Sequence, residues 1–282
     1  MALHTPTVQL LSSSILIALS GIFRIHIASL FLGVSPGILI YFAGFLVIYA
    51  TYTFDRALGS EEDKINRKEL VSSRKDIAII VCLISLAAGA FFLSQEGLLP
   101  FALLPIAIGY IYSKGLRIGC HTIKLKGNFG MKNLTVSLTW GMFIAGIIQR
   151  WADIYIVLLF IFPFITIKSF INTVIWDFRD VKGDFIAGIK TLPIYLGEKK
   201  TRRLLQVMHI MLHLWVALAM LMNLINVERT VIFTAVVIGM INTSLYTKPS
   251  TGNEPRSWKI ARNLLVNGEF ALALLFRGVI GF

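Results

Sequence analysis

The chain has 282 residues, of which 56% are hydrophobic and 15% charged, with a formal net charge of +12 at neutral pH. That balance excludes a large soluble domain and belongs to a multi-pass membrane protein. The basic excess lies between apolar runs, so it answers the positive-inside rule and anionic lipid head groups, not nucleic acid.

About nine apolar segments, each near the ~20 residues that cross a bilayer, run roughly over 9–32, 36–54, 76–94, 98–114, 133–150, 153–176, 205–225, 229–248 and 262–281. Runs of this length make helices, not strands of a closed sheet, and the predicted fold class is an all-α membrane protein with nine transmembrane helices. Gly33 to Gly37 forms a tight turn between the first two segments, and short turns fall at Gln95 to Gly97 and around Ala152 and Asp153. Met1 to Thr7 lack the basic stretch of a cleavable signal peptide. Cys82 and Cys120 are too few and too far apart for a metal motif or a disulfide framework.

The connections alternate in charge. Arg56, Lys64, Arg67, Lys68, Arg74 and Lys75 follow the second segment, and Arg117, Lys124, Lys126 and Lys132 follow the fourth. Arg179, Lys182, Lys190, Lys199, Lys200, Arg202 and Arg203 follow the sixth, and Lys248, Arg256, Lys259 and Arg262 follow the eighth. The other connections hold little beyond Arg150 and Arg229. The expected topology therefore has the N-terminus and the even-numbered loops in the cytoplasm and the C-terminus outside.

The aspartate-rich stretches all fall on that inner side. Asp177, Asp180 and Asp184 stand at i, i+3 and i+7, which on a helix places them on one face. Three stacked carboxylates repel one another unless a cation sits among them, and Mg²⁺ binds through a few carboxylates plus substrate phosphates. Asp55 ends the second segment at the same depth, with Asp63 and Asn66 close behind it. Two such clusters facing one cavity would hold two Mg²⁺ ions bridged by a diphosphate. Glu61 and Glu62 read better as a charged loop paired with nearby Lys64, Arg67 and Lys68.

Tyr110 and Lys114 lie one helical turn apart at the end of the fourth segment. Lys114 either snorkels to the interface or meets a diphosphate as a point charge, with the Tyr110 hydroxyl as a second donor. Within the spans, Arg24 and Lys168 are expected to face a cavity or a partner, whereas His26 is expected to be a hydrogen-bonded packing residue. The many aromatic residues offer ring faces able to stabilise a carbocation.

These features resemble the UbiA superfamily of membrane-embedded prenyltransferases. The run from Asp177 through Asp180 to Asp184, followed by Ala187 to Pro193 and by Leu196 and Gly197, is similar to the second aspartate motif of that family and its tail. Tyr110 and Lys114 match its Tyr-x-x-x-Lys element, and Lys132, Asn133 and Trp140 resemble the start of its fifth span. The first motif departs from the usual Asn-x-x-x-Asp-x-x-x-Asp. Asp55 fits the middle position, Thr51 replaces the asparagine, Gly59 the last aspartate, and Asp63 with Lys64 to Arg67 resembles the following residues displaced by four.

The resemblance implies one UbiA-like domain over 1–282, a bundle around a central cavity in which Mg²⁺ bound by Asp55, Asp63, Asp177, Asp180 and Asp184 holds a polyprenyl diphosphate. It implies that Lys114 and Lys190 neutralise the leaving diphosphate, that Thr51, Arg67, Tyr110, Arg117 and Asn172 contact substrate, and that a lipophilic acceptor attacks the allylic cation. That acceptor is an aromatic quinone-type precursor or a prenylglycerol phosphate. Two other readings are a terpene cyclase on the same scaffold and a secondary transporter, the latter weakened by the lack of an internal repeat.

Overall fold

The computed structural model describes residues 5–59, 65–118, 121–123, 130–248 and 255–280, with the side chains of Lys114, 116–118, 121–123 and Arg256 outside the description. In chain order the elements are α1 Pro6–Ser13, α2 Ile15–Leu32, α3 Ile38–Leu58, α4 Lys75–Ser94 and α5 Leu99–Lys114. Two short strands follow, β1 Leu116–Ile118 and β2 His121–Ile123. The rest are α6 Met131–Ile148, α7 Ile154–Ile186, α8 Leu192–Leu196, α9 Glu198–Leu221, α10 Arg229–Tyr246, α11 Arg256–Asn267 and α12 Glu269–Ile280.

Seven helical stretches among the described residues are long and apolar enough to cross a membrane: α1 with α2, then α3, α4, α6, α7, α9 and α10. Hydrocarbon leaves no partner for backbone N–H and C=O groups, so such runs close their bonds within the helix. Among the described residues the count stays below nine full spans. The fourth expected span is helix α5, which keeps its expected bounds but at 16 residues is short for a full crossing, bracketed by Pro100 in its first turn and Gly115 after its end. The last is the pair α11 and α12, bent by 70° at Gly268. The basic connection after α5 begins with a small antiparallel ladder that pairs Leu116 with Ile123 and Ile118 with His121.

Helix packing runs around a ring, from α2 to α3, α5, α6, α7, α9, α10 and α12 and back to α2, with α4 laid against α3 and α5. The core carries edge-to-face rings, with Phe31 meeting Phe160 at 5.6 Å and Phe164 at 5.4 Å between centroids. Helix α7 has a π turn at Val157–Ile161 just before Pro163, whose missing N–H interrupts the ladder. Asp153 caps its start by accepting from the backbone N–H groups of Tyr155 and Ile156. At the same end of the molecule, Asn226 caps α2: its backbone N–H donates to the Phe31 carbonyl at 2.7 Å and its side chain to the Leu30 carbonyl at 3.1 Å.

The outer surface stays apolar, with Leu83, Ile84, Phe91, Leu214, Leu221 and Phe233 all exposed. A surface of that kind around spans of this length is solvated by lipid, and the chain is an integral membrane protein.

The ionisable groups inside the spans have the partners expected of them. Arg24 donates to the Ser169 hydroxyl and stands over the Phe270 ring, Lys168 pairs with Glu269, and His26 shares a 3.2 Å hydrogen bond with the Tyr41 hydroxyl. The Cys82 thiol is buried and donates to the Ala50 carbonyl.

Candidate active site

Helix α7 runs on to Ile186, so Asp177, Asp180 and Asp184 project from its last turns on one face. The three carboxylates do not share one counter-ion. Lys132, in the first turn of α6, places its Nζ 2.9 Å from Asp177 Oδ1 and 2.7 Å from Asp184 Oδ2. The next residue, Asn133, is fully buried and donates from Nδ2 to Asp177 Oδ2 at 2.8 Å. Asp180 is held instead by its neighbour Arg179, through two bonds of 2.6 Å in the bidentate arrangement of guanidinium and carboxylate. Burial explains the partition: Asp177 and Asp184 are 2% and 0% exposed, and a carboxylate that deep needs a positive partner. Asp184 Oδ1 is buried with no hydrogen-bond partner among the described residues.

Asn66, which follows the first aspartate region in the chain, packs against the second. Its side-chain amide donates to the Asp180 carbonyl at 3.4 Å, and it lies flat on Gly183, where a Cβ would overlap it. Only glycine leaves room for that approach, which brings the segment after α3 onto α7 beside Asp184. Arg67 lies near enough to Asp180 and Arg56 for their charges to interact. Asp55 accepts from the Ser113 hydroxyl at 2.8 Å, which ties the end of α3 to the end of α5. Asp63 lies outside the described residues, as do Glu61 and Glu62. Among the described residues, no group of three or more His, Cys, Asp or Glu side chains is gathered as a ready metal cage.

The other expected contacts are dispersed. Thr51 spends its hydroxyl on the Val47 carbonyl of its own helix at 2.8 Å. Asn172 is buried and donates to the Val266 carbonyl of α11, about 140° around α7 from Asp177 at 3.6 residues per turn. Tyr110 is exposed at the end of α5, and the side chains of Lys114 and Arg117 lie outside the description. Lys190 is exposed, and its carbonyl accepts from the Gly130 N–H just before α6, which holds the tail of the motif against the helix that carries Lys132.

Composition and spacing do not mark Lys132, Asn133, Ser113 or Arg179 as site residues. The signal for the first two is the resemblance of their stretch to a family span start; the other two carry none. One and two turns in from these groups lie Tyr52 and Trp140, with ring planes within 9° and the indole N–H donating to the phenol oxygen at 3.1 Å. A cleft of about 430 Å³ opens between α2 and the bent pair, lined by Leu16, Leu19, Phe23, Leu264 and Ala271 among others. A second cavity of about 470 Å³, around Trp151, Asp153 and Asn226, lies near the opposite end of α7 from the aspartates.

Comparison with known proteins places this architecture. The model of the UbiA prenyltransferase family matches residues 11–265. A digeranylgeranylglyceryl phosphate synthase from Sulfolobus acidocaldarius is 29% identical over 164 residues, which cover 55% of this chain and 56% of that protein. The chain thus spans about half the length of the curated relative it matches. A solved UbiA homologue from Archaeoglobus fulgidus bound to DMAPP and Mg²⁺ superposes with a TM-score of 0.63 at 16% identity, over 97% of this chain and 99% of that one. A solved digeranylgeranylglyceryl phosphate synthase gives 0.57 at 16% identity over 99% and 96%, and an apo UbiA homologue from Aeropyrum pernix 0.61 at 10% identity over 94% and 96%. At such identities the structural likeness is one of fold. The protein is an integral membrane protein with a predominantly helical, ring-packed architecture and a carboxylate-rich end. It belongs to the UbiA prenyltransferase family.

Proposed function

We propose that the chain is an intramembrane prenyltransferase that moves a polyprenyl group from a prenyl diphosphate to a lipophilic acceptor. A prenylglycerol phosphate is the acceptor we favour, on the strength of the Sulfolobus relative. The observation that carries the reading is the set of Asp177, Asp180 and Asp184 on one face of α7, bound to cationic side chains and joined through Asn66 to the segment behind Asp55. The whole chain is read as one domain working as this enzyme. We assign its basic loops and N-terminus to the cytoplasm and its C-terminus to the outside, a reading supported by the distribution of Lys and Arg.

The donor set fits a hard divalent cation such as Mg²⁺. It consists of carboxylate oxygens, one of them, Asp184 Oδ1, is buried without a partner, and a positive charge already bridges Asp177 and Asp184. Asp55, Asp177, Asp180 and Asp184 would hold it, with Asp63 as the further candidate. Bound there, the metal supplies neutralisation of the diphosphate as it departs.

The chain's own residues do the rest. Lys114, Lys190, Arg67 and Arg117 supply cationic charge for the diphosphate, and Tyr110 a hydroxyl. Asn133 fixes one oxygen of Asp177 so that the carboxylate keeps its orientation. The faces of Tyr52 and Trp140 lie inward of Asp55 and Asn133 and are placed to stabilise an allylic cation. The helical ring excludes water, which would otherwise trap that cation. The cleft between α2 and the bent pair offers an apolar bed for a prenyl chain.

The test is product analysis by mass spectrometry after reconstituted protein is given geranylgeranyl diphosphate, Mg²⁺ and a panel of acceptors that includes a prenylglycerol phosphate. A coupled product and Mg²⁺-dependent diphosphate release are expected. Asp177→Ala and Asp180→Ala should each bring that release close to background. Wild-type turnover in either variant removes the site assignment, and a cyclic hydrocarbon formed without acceptor replaces transfer by cyclisation.

A further inference from the structure

The ammonium of Lys132 occupies the place where a metal would be needed. It lies 2.9 Å from Asp177 and 2.7 Å from Asp184, whose side chains are 3% and 1% exposed, while its own side chain is 18% exposed. One positive charge set against two buried carboxylates leaves a negative charge over, and among the described residues Asp184 Oδ1 stays without a hydrogen-bond partner. Asp180, by contrast, forms a closed bidentate pair with Arg179. A divalent cation would close the balance between Asp177 and Asp184 and accept the orphaned oxygen.

A divalent cation and an ammonium cannot share that space, because at a few ångströms their repulsion in a shielded site is large. The lysine is the partner able to leave. It has a flexible four-carbon stem, it sits in the first turn of α6 two residues after Gly130, and it is the most exposed member of the trio. We propose that Lys132 is an exchangeable internal counter-ion. It neutralises Asp177 and Asp184 in the resting protein, and metal loading expels it toward the mouth of the site, where it faces the anionic head group. This rests on the reading of the aspartates as a metal site given above.

The exchange is read on resting protein without prenyl substrate, so it is separate from catalysis. Mn²⁺ titration by calorimetry of the full chain in nanodiscs should give a tighter site in Lys132→Met than in wild type, by about tenfold or more, since a competitor worth one decade has been removed. The metal-free variant should also melt lower, and Mn²⁺ should raise its melting temperature more than that of wild type. Unchanged or weaker Mn²⁺ binding in Lys132→Met overturns the proposal.

Wild-type protein provides a second readout that needs no folded variant. Reductive dimethylation followed by peptide mass analysis should find Lys132 shielded without metal and reactive with saturating Mg²⁺. Equal labelling in both states also overturns it. Loss of prenyl transfer alongside a normal metal-driven exchange would instead count against the enzymatic assignment.

Discussion

Replacing Lys168 by methionine tests the internal charge arrangement of the bundle most directly. Lys168 is 0% exposed and Glu269 1%, and each is the other's ion-pair partner between α7 and α12. Glu269 Oε2 is already buried without a hydrogen bond, so the carboxylate depends on Lys168 through Oε1. Removing one member of a buried pair leaves an uncompensated charge, at a cost of about 3–5 kcal/mol. Methionine nearly matches the lysine stem in volume, so the loss is one of charge and not of packing. The double variant Lys168→Met with Glu269→Leu removes both charges and should recover most of the loss, since apolar replacement of a whole buried pair is close to neutral. Reversible unfolding in mixed micelles, followed by tryptophan fluorescence, measures each difference. A single variant within about 0.5 kcal/mol of wild type, the range of an ordinary surface substitution, would refute the reasoning. So would a double variant as unstable as the single.

Other expectations come from the same geometry. Asn133→Leu leaves one oxygen of Asp177 buried without its donor, costs about 1–3 kcal/mol in the same unfolding assay, and should lower Mg²⁺-dependent diphosphate release well below wild type. Gly141→Ala puts a methyl group into the Thr166 side chain and within 3.1 Å of the Phe162 carbonyl, forcing α6 from α7 at a cost of about 1–3 kcal/mol. Since α6 carries Lys132, metal-free Gly141→Ala protein should also show weakened protection of Lys132 from amine labelling.

The membrane-spanning character was legible because twenty-residue apolar runs have few alternatives, and the aspartate face of α7 because its spacing keeps helical register through Asp184. The fourth expected span keeps its bounds as α5, and the last differs for a local reason: the Asn267-Gly268 pair lets it bend where Glu269 meets Lys168. Periodicity reports how apolar a stretch is, not whether one glycine inside it will break the axis. The counter-ions of the aspartates were less legible. Lys132 is 45 residues before Asp177 and counts, in the sequence, as one more cation of a basic loop. Only packing of α6 on α7 shows that it and Asn133 grip the same carboxylate. Asn172 is the converse case: near to Asp177 in sequence, it faces α11 because five residues carry a helix well past one turn.

The seat of Asn66 on Gly183 fixes the far end of a chain segment whose near end, Asp55, is tethered to Ser113. The notch at Gly183 therefore couples the backbone of the aspartate helix to a side chain more than a hundred positions away in the chain, so a change that fills the one dislodges the other.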